Sequence, residues 1–212
     1  MKPNPQNFTE IKHPVIARDL TILRDKRTDT ANFRLALSRI STILAYHALN
    51  NIGLSSFEVE TPIQKTTGYK LDTNIVVIPI LRAGLGLVDA ITTFVPDARV
   101  GHLGMYRDEV TKKPVDYYVN VPDGIENALV LVIDPMLATG GSACDAIGFL
   151  KSKGAREIRF ICLIAAPEGV AEVQKHFPDV AVITAALDER LNENKFIVPG
   201  LGDAGDRIFG TT

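Results

Sequence analysis

The sequence predicts an α/β protein with a parallel sheet flanked by helices, and three observations favour this class. Short apolar runs rich in Val and Ile recur along the chain, for example IVVIPIL at 75–81 and ALVLVI at 128–133. Runs of this kind are typical of strands covered on both faces. Stretches with helical spacing separate most of the runs. Glycine and polar residues follow the strands, where ligands bind in such sheets.

The composition is that of a globular protein with its own core. The chain has 212 residues, 46% of them hydrophobic and 23% charged. Soluble domains average about 45–50% apolar and about 25% charged residues. The length predicts a single domain over residues 1–212. The 23 basic and 25 acidic residues give a formal net charge of -2. Since no run of five like charges occurs, we expect neither nucleic acid nor a membrane as a partner.

The first part of the chain is predicted to form two helices and a strand. A helix is expected near 15–26, and a second over 30–51, ended by Gly53. One face of the second helix carries residues spaced by three and four, namely Phe33, Leu37, Ile40, Leu44 and His47. In the segment 57–63, apolar residues alternate with glutamates, which predicts a half-buried strand ahead of a polar stretch at 66–74.

The remaining chain is predicted to alternate strands and helices. The strands are expected at 75–81, 98–106, 128–133, 158–166 and 180–184, and the helices at 85–94, 142–153 and 168–176. The polar segment 107–122, with charges and a proline at its centre, predicts a protruding hairpin and a candidate lid. Beyond residue 184 the chain is rich in glycine and too irregular to predict an element.

The cysteines and histidines give no sign of a metal site. Cys144 and Cys162 each lie in an apolar segment without C-x-x-C spacing, so both are predicted to be core residues. The four histidines are scattered, which argues against a zinc site. The segment MKPNPQNFTE lacks the apolar stretch of a signal peptide, and no apolar run approaches the roughly 20 residues of a membrane helix. A cytoplasmic location is therefore expected.

The strongest chemical signal is ALVLVIDPMLATGGSA at 128–143, where a strand leads into Asp134 and then into a glycine-bearing turn. The turn at 138–142 suits a phosphate, because its glycines let N–H groups point inward and the following helix adds a positive dipole. The hydroxyls of Thr139 and Ser142 are further donors. The pattern is neither a Walker loop nor a dinucleotide fingerprint. Taken alone, T-G-G could equally be an ordinary helix start.

This segment resembles the phosphoribosyl pyrophosphate (PRPP) binding motif of the type I phosphoribosyltransferases. Most of that family has two adjacent acids after the strand, whereas here Asp134 is followed by Pro135. The chain from His13 onward is similar to the uracil phosphoribosyltransferases, on the motifs DPMLATGGS, LRAGLG (81–86), GMYRD (104–108), AAPEG (165–169) and PGLGDAGDRIFGT (199–211). The resemblance implies the family's parallel sheet, a hairpin lid at about 106–122, and a hood from both termini whose base-binding part spans about 188–212.

The resemblance also implies a site for PRPP. Asp134 would bind the ribose hydroxyls and stabilise the positive charge that develops on the ribose, and together with Arg107 and Asp203 it would be catalytic. Arginines would bind the diphosphate with their forked guanidinium groups. Mg²⁺ is the expected cofactor, held mainly by PRPP because Pro135 replaces the second acid. The PRPP-binding residues would be Arg82, Arg107, Asp134, Pro135, Met136, Leu137, Ala138, Thr139, Gly140, Gly141, Ser142 and Asp203.

The base is expected at the segment 197–204. Uracil offers an acceptor, a donor and an acceptor along one edge, which backbone N–H and C=O groups can read, whereas cytosine would leave groups unpaired. The uracil-binding residues implied by the resemblance are Ile197, Gly202, Asp203 and Ala204. Lys195 and Phe196 stand where many relatives have Gly-Tyr. On composition alone, this segment could also be a coiled tail.

The expected function is transfer of the phosphoribosyl group of PRPP to N1 of uracil, giving UMP and diphosphate in pyrimidine salvage. Two alternatives stay open at this point. A regulator of the same fold that binds RNA would need a basic face with stacking aromatics, whereas the charge is -2 and Trp is absent. A transferase for a purine or orotate is the other, although 197–204 lacks the cation that orotate would need. The resemblance further implies a dimer or tetramer and makes GTP a candidate allosteric activator.

Overall fold

The computed structural model describes residues 7–107 and 114–211, with the backbone alone at 105–107 and 114–117. The elements in chain order are β1 (Phe8–Glu10), α1 (Pro14–Arg24), α2 (Thr30–Ala48), β2 (Leu54–Glu60), β3 (Lys65–Leu71), β4 (Asn74–Pro79), α3 (Leu85–Phe94), β5 (Arg99–Val100), β6 (His102–Arg107), β7 (Pro114–Asn120), a 3-10 helix (Ile125–Asn127), β8 (Ala128–Ile133), β9 (Met136–Leu137), α4 (Gly141–Ser152), β10 (Glu157–Ala165), α5 (Pro167–His176), β11 (Ala181–Leu187), β12 (Arg190–Leu191), β13 (Ile197–Val198) and α6 (Ala204–Phe209).

A parallel sheet forms the centre of the protein, as predicted. Its strands follow the order β1-β11-β10-β8-β4-β5, and β9 adds a short second pairing to β10. Val130 in the middle of β8 pairs with Val76 of β4 on one side and Ile158 of β10 on the other. Because parallel strands end at the same edge, the loops that follow β4 and β8 emerge side by side.

Helices cover both faces of the sheet, which explains the near-continuous apolar strands. On one face, alternate sheet residues pack with α1, α2, α3 and α6 around the buried Phe33 and Leu87. On the other face, Val130 and Phe160 pack with α4 and α5. The helices predicted at 85–94, 142–153 and 168–176 all form, with bounds within one residue of those expected. None of the helices among the described residues is long and apolar enough to cross a membrane.

The predicted half-buried strand at 57–63 is only partly right. A strand forms as β2, but Phe57 is 46% exposed, and Ile63, beyond the end of β2, is 93% exposed. The polar stretch that was predicted to follow contains β3, which pairs antiparallel with β2. Alternation of apolar and polar residues identified a strand, yet it could not say whether anything covers the apolar face. The second predicted helix also ends at Ala48, so Gly53 lies beyond it rather than terminating it.

The predicted hairpin between residues 107 and 122 exists, formed by antiparallel pairing of β6 and β7. Residues 108–113, which join the two strands, lie outside the described residues. The base of the hairpin is attached to the end of β4, because Leu81 N–H donates to the carbonyl of Leu103 at 2.9 Å. This attachment places the candidate lid at the carboxyl edge of the sheet.

The expectation of no element beyond residue 184 is wrong. Strand β11 continues to Leu187, β12 and β13 pair as a short antiparallel ribbon, and α6 closes the chain. Helix α6 has only six residues, too few for a periodic pattern, but its ends carry sequence signals. Asp203 accepts a hydrogen bond from Asp206 N–H at 3.0 Å as the N-cap, and Gly210 follows with φ 68°. Of the two predicted core cysteines, Cys162 is buried and Cys144 is only partly so.

Candidate active site

Asp134 lies where β8 ends, at the carboxyl edge of the sheet. Its backbone N–H donates to Ile161 O of β10 at 3.1 Å, so the residue stays attached to the sheet. Its carboxylate accepts a hydrogen bond from Met136 N–H at 3.2 Å. Burial raises the pKa of Asp134 from 3.8 to about 7, and the hydrogen bond from Met136 opposes that shift. The side chain nevertheless has partial access to solvent. A carboxyl group that titrates near neutrality therefore faces the space outside the sheet.

Pro135 stands where the resemblance implies a second acid in most of the wider family. Its carbonyl accepts hydrogen bonds from Leu163 N–H at 3.0 Å and Ile164 N–H at 3.2 Å. The chain then resumes pairing with β10 as β9, so Pro135 occupies an irregular step between two paired segments. This step turns the chain from Asp134 into the loop that precedes α4.

The predicted phosphate loop leads directly into α4. Gly140 has φ 83° and is the N-cap of this helix, so the backbone conformation favours glycine. The side chains of Thr139 and Ser142 are exposed. Gly169 at the start of α5 packs against the loop, since a Cβ on Gly169 would lie 2.5 Å from Ala138 O. The motif AAPEG thus has a packing role beneath the loop, while the Thr139 and Ser142 side chains stay exposed.

Arg82 lies in the short loop between β4 and α3, beside the end of β8. Ile80 N–H donates to Ile133 O at 3.0 Å, which joins this loop to the strand that precedes Asp134. Gly84 is required there, because a Cβ would lie 2.5 Å from Ile133 O. The Leu81–Arg82 peptide bond is cis. The Arg82 side chain is exposed and lies at the same edge of the sheet as Asp134.

Arg107 is the last residue of β6, in the hairpin whose base is attached to Leu81. Its backbone pairs with Pro114 across the hairpin. Its side chain lies outside the described part of the chain, so contact with diphosphate stays a prediction.

The predicted base segment turns sharply at 198–202. The Val198–Pro199 bond is cis, and Gly200 and Gly202 have φ values of 66° and 79°. Gly202 is exposed, and so is Asp203, whose carboxylate caps α6. Ile197 and Ala204, the other two residues predicted to bind uracil, are buried. Only Gly202 and Asp203 of the four predicted residues are therefore exposed to solvent. Ile197 and Ala204 could contribute backbone groups.

The start of α6 lies next to the Arg82 loop. An ideal Cβ on Gly205 would be 3.8 Å from the Cβ of Ala83. The C-terminal segment and the loop after β4 are therefore neighbours, although more than a hundred residues separate them in the sequence. This arrangement brings the predicted base segment close to the predicted diphosphate loop.

Sequence reasoning missed a partly buried ion pair behind the base segment, in which the Asp188 side chain is 3% exposed and that of Arg24 26%. Arg24 at the end of α1 contacts both carboxylate oxygens of Asp188, at 2.5 and 2.8 Å. It also donates to Gly200 O at 2.8 Å, while Gly200 N–H donates to Asp188 at 2.9 Å. Asp188 is only 7% exposed. The available signal was an acid directly after the apolar strand β11, since buried carboxylates are almost always paired.

Comparisons with known proteins extend over all of these segments. The family model described as Uracil phosphoribosyltransferase matches residues 10–211. The uracil phosphoribosyltransferase of Salinibacter ruber is 54% identical over 206 residues, which cover 97% of this chain and 98% of that protein. That of Bacillus licheniformis is 54% identical over 204 residues, covering 94% and 96%.

Two solved structures have a similar fold. The structure of the AQ2163 protein from Aquifex aeolicus has a TM-score of 0.90 and 35% identity, covering 97% of this chain and 99% of that one. The adenine phosphoribosyltransferase of Leishmania donovani has a TM-score of 0.58 at 14% identity, covering 89% and 87%. At that identity, the second likeness concerns the fold alone.

Proposed function

The chain belongs to the uracil phosphoribosyltransferase family, and we propose that it transfers the phosphoribosyl group of PRPP to N1 of uracil, forming UMP and diphosphate. This reaction would make it a pentosyltransferase. The observation that carries the proposal is the meeting of Asp134, the phosphate loop and the Arg82 loop at one edge of the sheet, with the base segment against the Arg82 loop. Each of these parts suits one portion of PRPP or uracil.

The 5′-phosphate would bind to the loop 138–142. Its backbone N–H groups and the positive end of α4 favour an anion. The exposed hydroxyls of Thr139 and Ser142 can add hydrogen bonds to phosphate oxygens. This contact would fix one end of PRPP and bring the ribose to Asp134.

Asp134 would act on the ribose. Its carboxylate can accept hydrogen bonds from the 2′ and 3′ hydroxyls, and such bonds favour the ionised form of a group whose pKa is about 7 in the free protein. As the bond from C1 to diphosphate breaks, positive charge develops on the ribose. An ionised carboxylate held nearby stabilises that charge, so uracil N1 can attack C1 without a covalent protein intermediate.

Arg82 and Arg107 would bind the leaving diphosphate, with Arg107 and the hairpin excluding water when the hairpin closes. Mg²⁺ would be the cofactor, held mainly by PRPP because diphosphate oxygens are hard ligands. The described residues contain no cluster of three metal-binding side chains, and Asp134 has Pro135 rather than a second acid beside it. The bound ion would neutralise charge on the diphosphate.

Uracil would be read by the backbone of 197–204. At Gly202, φ is 79° and no side chain stands between backbone and base, which supports a close approach. Asp203 would lie between the base and the PRPP ribose or diphosphate. Reading by N–H and C=O groups selects uracil over cytosine, because each unpaired buried group costs about 1–3 kcal/mol.

A homo-oligomer, either a dimer or a tetramer, completes the proposal. It is supported by exposed apolar side chains on the β2–β3 hairpin, where Ile63, Tyr69 and Phe57 are 93%, 66% and 46% exposed. GTP as an allosteric activator and a cytoplasmic location stay predictions from the resemblance.

The proposal is tested by measuring diphosphate release from PRPP and Mg²⁺ with uracil, cytosine, orotate and hypoxanthine in turn. We expect release with uracil and formation of UMP. Release with another base but not with uracil would replace the proposed substrate. Filter binding of RNA by a protein inactive with all four bases would instead favour the regulatory alternative.

A further inference from the structure

We propose that Arg24 and Asp188 are positioning residues for uracil recognition. They hold the backbone of Gly200 and thereby set the conformation of 197–204. The inference rests on the proposed function, in which this segment reads the base. Neither residue belongs to the motifs that predicted the site.

A single ion pair satisfies both backbone polar groups of Gly200. Gly200 N–H donates to Asp188 Oδ2 at 2.9 Å, and Gly200 O accepts from Arg24 Nη1 at 2.8 Å. Arg24 at the same time contacts both oxygens of the Asp188 carboxylate. The φ of 66° at Gly200 and the pairing of both its polar groups fix the peptide units on either side of it.

The pair connects the base segment to two rigid parts of the fold. Asp188 N–H donates to Ala165 O at the end of β10, at 2.8 Å. Arg24 is the last residue of α1, whose buried face packs in the main core. Gly200 is therefore connected by hydrogen bonds to the sheet through Asp188 and to α1 through Arg24.

A second arginine holds the next residue to the same helix end. Arg207 of α6 donates to Leu201 O at 2.9 Å and to Asp25 O at 2.7 Å, and also to Leu23 O. The carbonyls at the end of α1 thus anchor the residue after Gly200. Because the backbone of Gly200 and Leu201 is held, the position of the next residue, Gly202, at the proposed base site is fixed as well. A site held in its binding geometry before the ligand arrives loses less free energy on ordering.

Stability alone does not require this arrangement. Replacing a buried ion pair by apolar residues is often neutral or stabilising, so this pair contributes more to fixed geometry than to stability. The same helix α1 offers a matched comparison, because the buried Asp19 is held by Arg39 of α2 at 2.7 and 3.0 Å. The hydrogen bonds of Asp19 go to Arg39 of α2 and to Arg18 of α1 itself, so this second pair joins α1 to α2 and not to 197–204.

The test compares Asp188→Asn with Asp19→Asn. Each change keeps the shape of the side chain but turns one acceptor oxygen into an NH₂ group. At Asp188 that group faces Arg24 Nη2 in one orientation and both Arg24 Nη1 and Gly200 N–H in the other, so at least one donor loses its partner either way. At Asp19 the same conflict arises with arginine but away from the base segment.

We expect Asp188→Asn to raise KM for uracil by about 10- to 100-fold, since small misplacements of binding groups have effects of this size. KM for PRPP should change by no more than about twofold. Asp19→Asn should leave both KM values within about twofold of wild type, at a comparable drop in Tm. Arg24→Lys, which keeps the charge but has a single nitrogen in place of the fork, should give an intermediate KM for uracil.

Equal effects of Asp188→Asn and Asp19→Asn on KM for uracil would overturn the inference, as would equal changes in KM for uracil and PRPP. If Asp188→Asn does not fold, Arg24→Lys decides, and a KM for uracil unchanged in that variant overturns it too. Failure of the proposed function is recognised separately, because wild-type protein would then release no diphosphate with uracil.

Discussion

Asp134 combines a stability cost with a proposed catalytic role at one position. Burial raises its pKa to about 7, so the folded protein disfavours the charged form that the proposed mechanism needs. The acid and the glycine turn after it could be predicted from sequence, because the strand, acid and loop are contiguous. Arg24 and Asp188 could not, since 164 residues separate them and only the folded chain pairs them.

Asp134→Asn should reduce turnover by about 10²–10³-fold, because the amide keeps the shape and removes the charge that faces the developing ribosyl cation. Steady-state kinetics with uracil and PRPP measure this.

The same Asp134→Asn variant should be more stable than wild type at pH 8. The folded-state pKa lies above the unfolded value, so the wild type loses stability as pH rises from about 4 to about 7, and the amide does not. Near wild-type turnover would remove Asp134 from the mechanism.

The pH dependence of activity should give different pKa values for Asp134 in the free enzyme and in the enzyme with bound substrate. The quantity kcat/KM for PRPP reports the free protein and should rise with pH through about 7 as Asp134 ionises. The midpoint for kcat should lie lower, because ribose hydroxyls bound to the carboxylate lower its pKa. A kcat/KM that stays flat between about pH 5.5 and 8 would contradict this role for Asp134.

At the scale of elements, the periodicity of apolar residues predicted the strands and helices that form the core. It missed the elements that the core does not need. The apolar runs of β4, β8 and β10 and the helices α3, α4 and α5 follow directly from burial on both sheet faces. The exposed partner strand β3 and the six-residue helix α6 leave no such pattern. Their evidence lies in pairing and in caps, which a window of apolar residues does not detect.

Gly84→Ala tests the packing that brings the Arg82 loop to the end of β8. Its Cβ would lie 2.5 Å from Ile133 O, so the loop must shift, and we expect a loss of about 1–3 kcal/mol in the free energy of unfolding. Gly148→Ala in α4 is the control. Its Cβ would lie 3.5 Å from the Phe177 ring, and the change should stabilise by about 0.5–1 kcal/mol. Urea denaturation measures both, and unchanged stability of Gly84→Ala would refute the tight contact.

At the scale of the molecule, the sheet order assembles a site from distant segments. Adjacent β4 and β8 bring together the Arg82 loop and Asp134, and α6 returns the C-terminus to the same edge. The parallel fold, and the sheet edge at which a site should lie, were predictable from the alternation of strands and helices. The contact of α6 with the Arg82 loop was not, because it depends on how the C-terminal segment packs on α1 and α2.

Separate loops for the two substrates should make their binding separable. Gly202→Val places a branched residue at φ 79°, a conformation that valine rarely adopts, so KM for uracil should rise by more than about tenfold. KM for PRPP should change far less, because the phosphate loop follows a different strand. Equal losses for both substrates would mean that the base does not sit at 197–204.

The comparison of uracil with cytosine tests the central claim most directly. Wild-type protein with PRPP and Mg²⁺ should show a kcat/KM for uracil at least about 100-fold above that for cytosine, because cytosine leaves two buried backbone groups mismatched at about 1–3 kcal/mol each. The measurement is formation of UMP and CMP under identical conditions. Comparable rates with the two bases would contradict recognition of uracil by the backbone of 197–204.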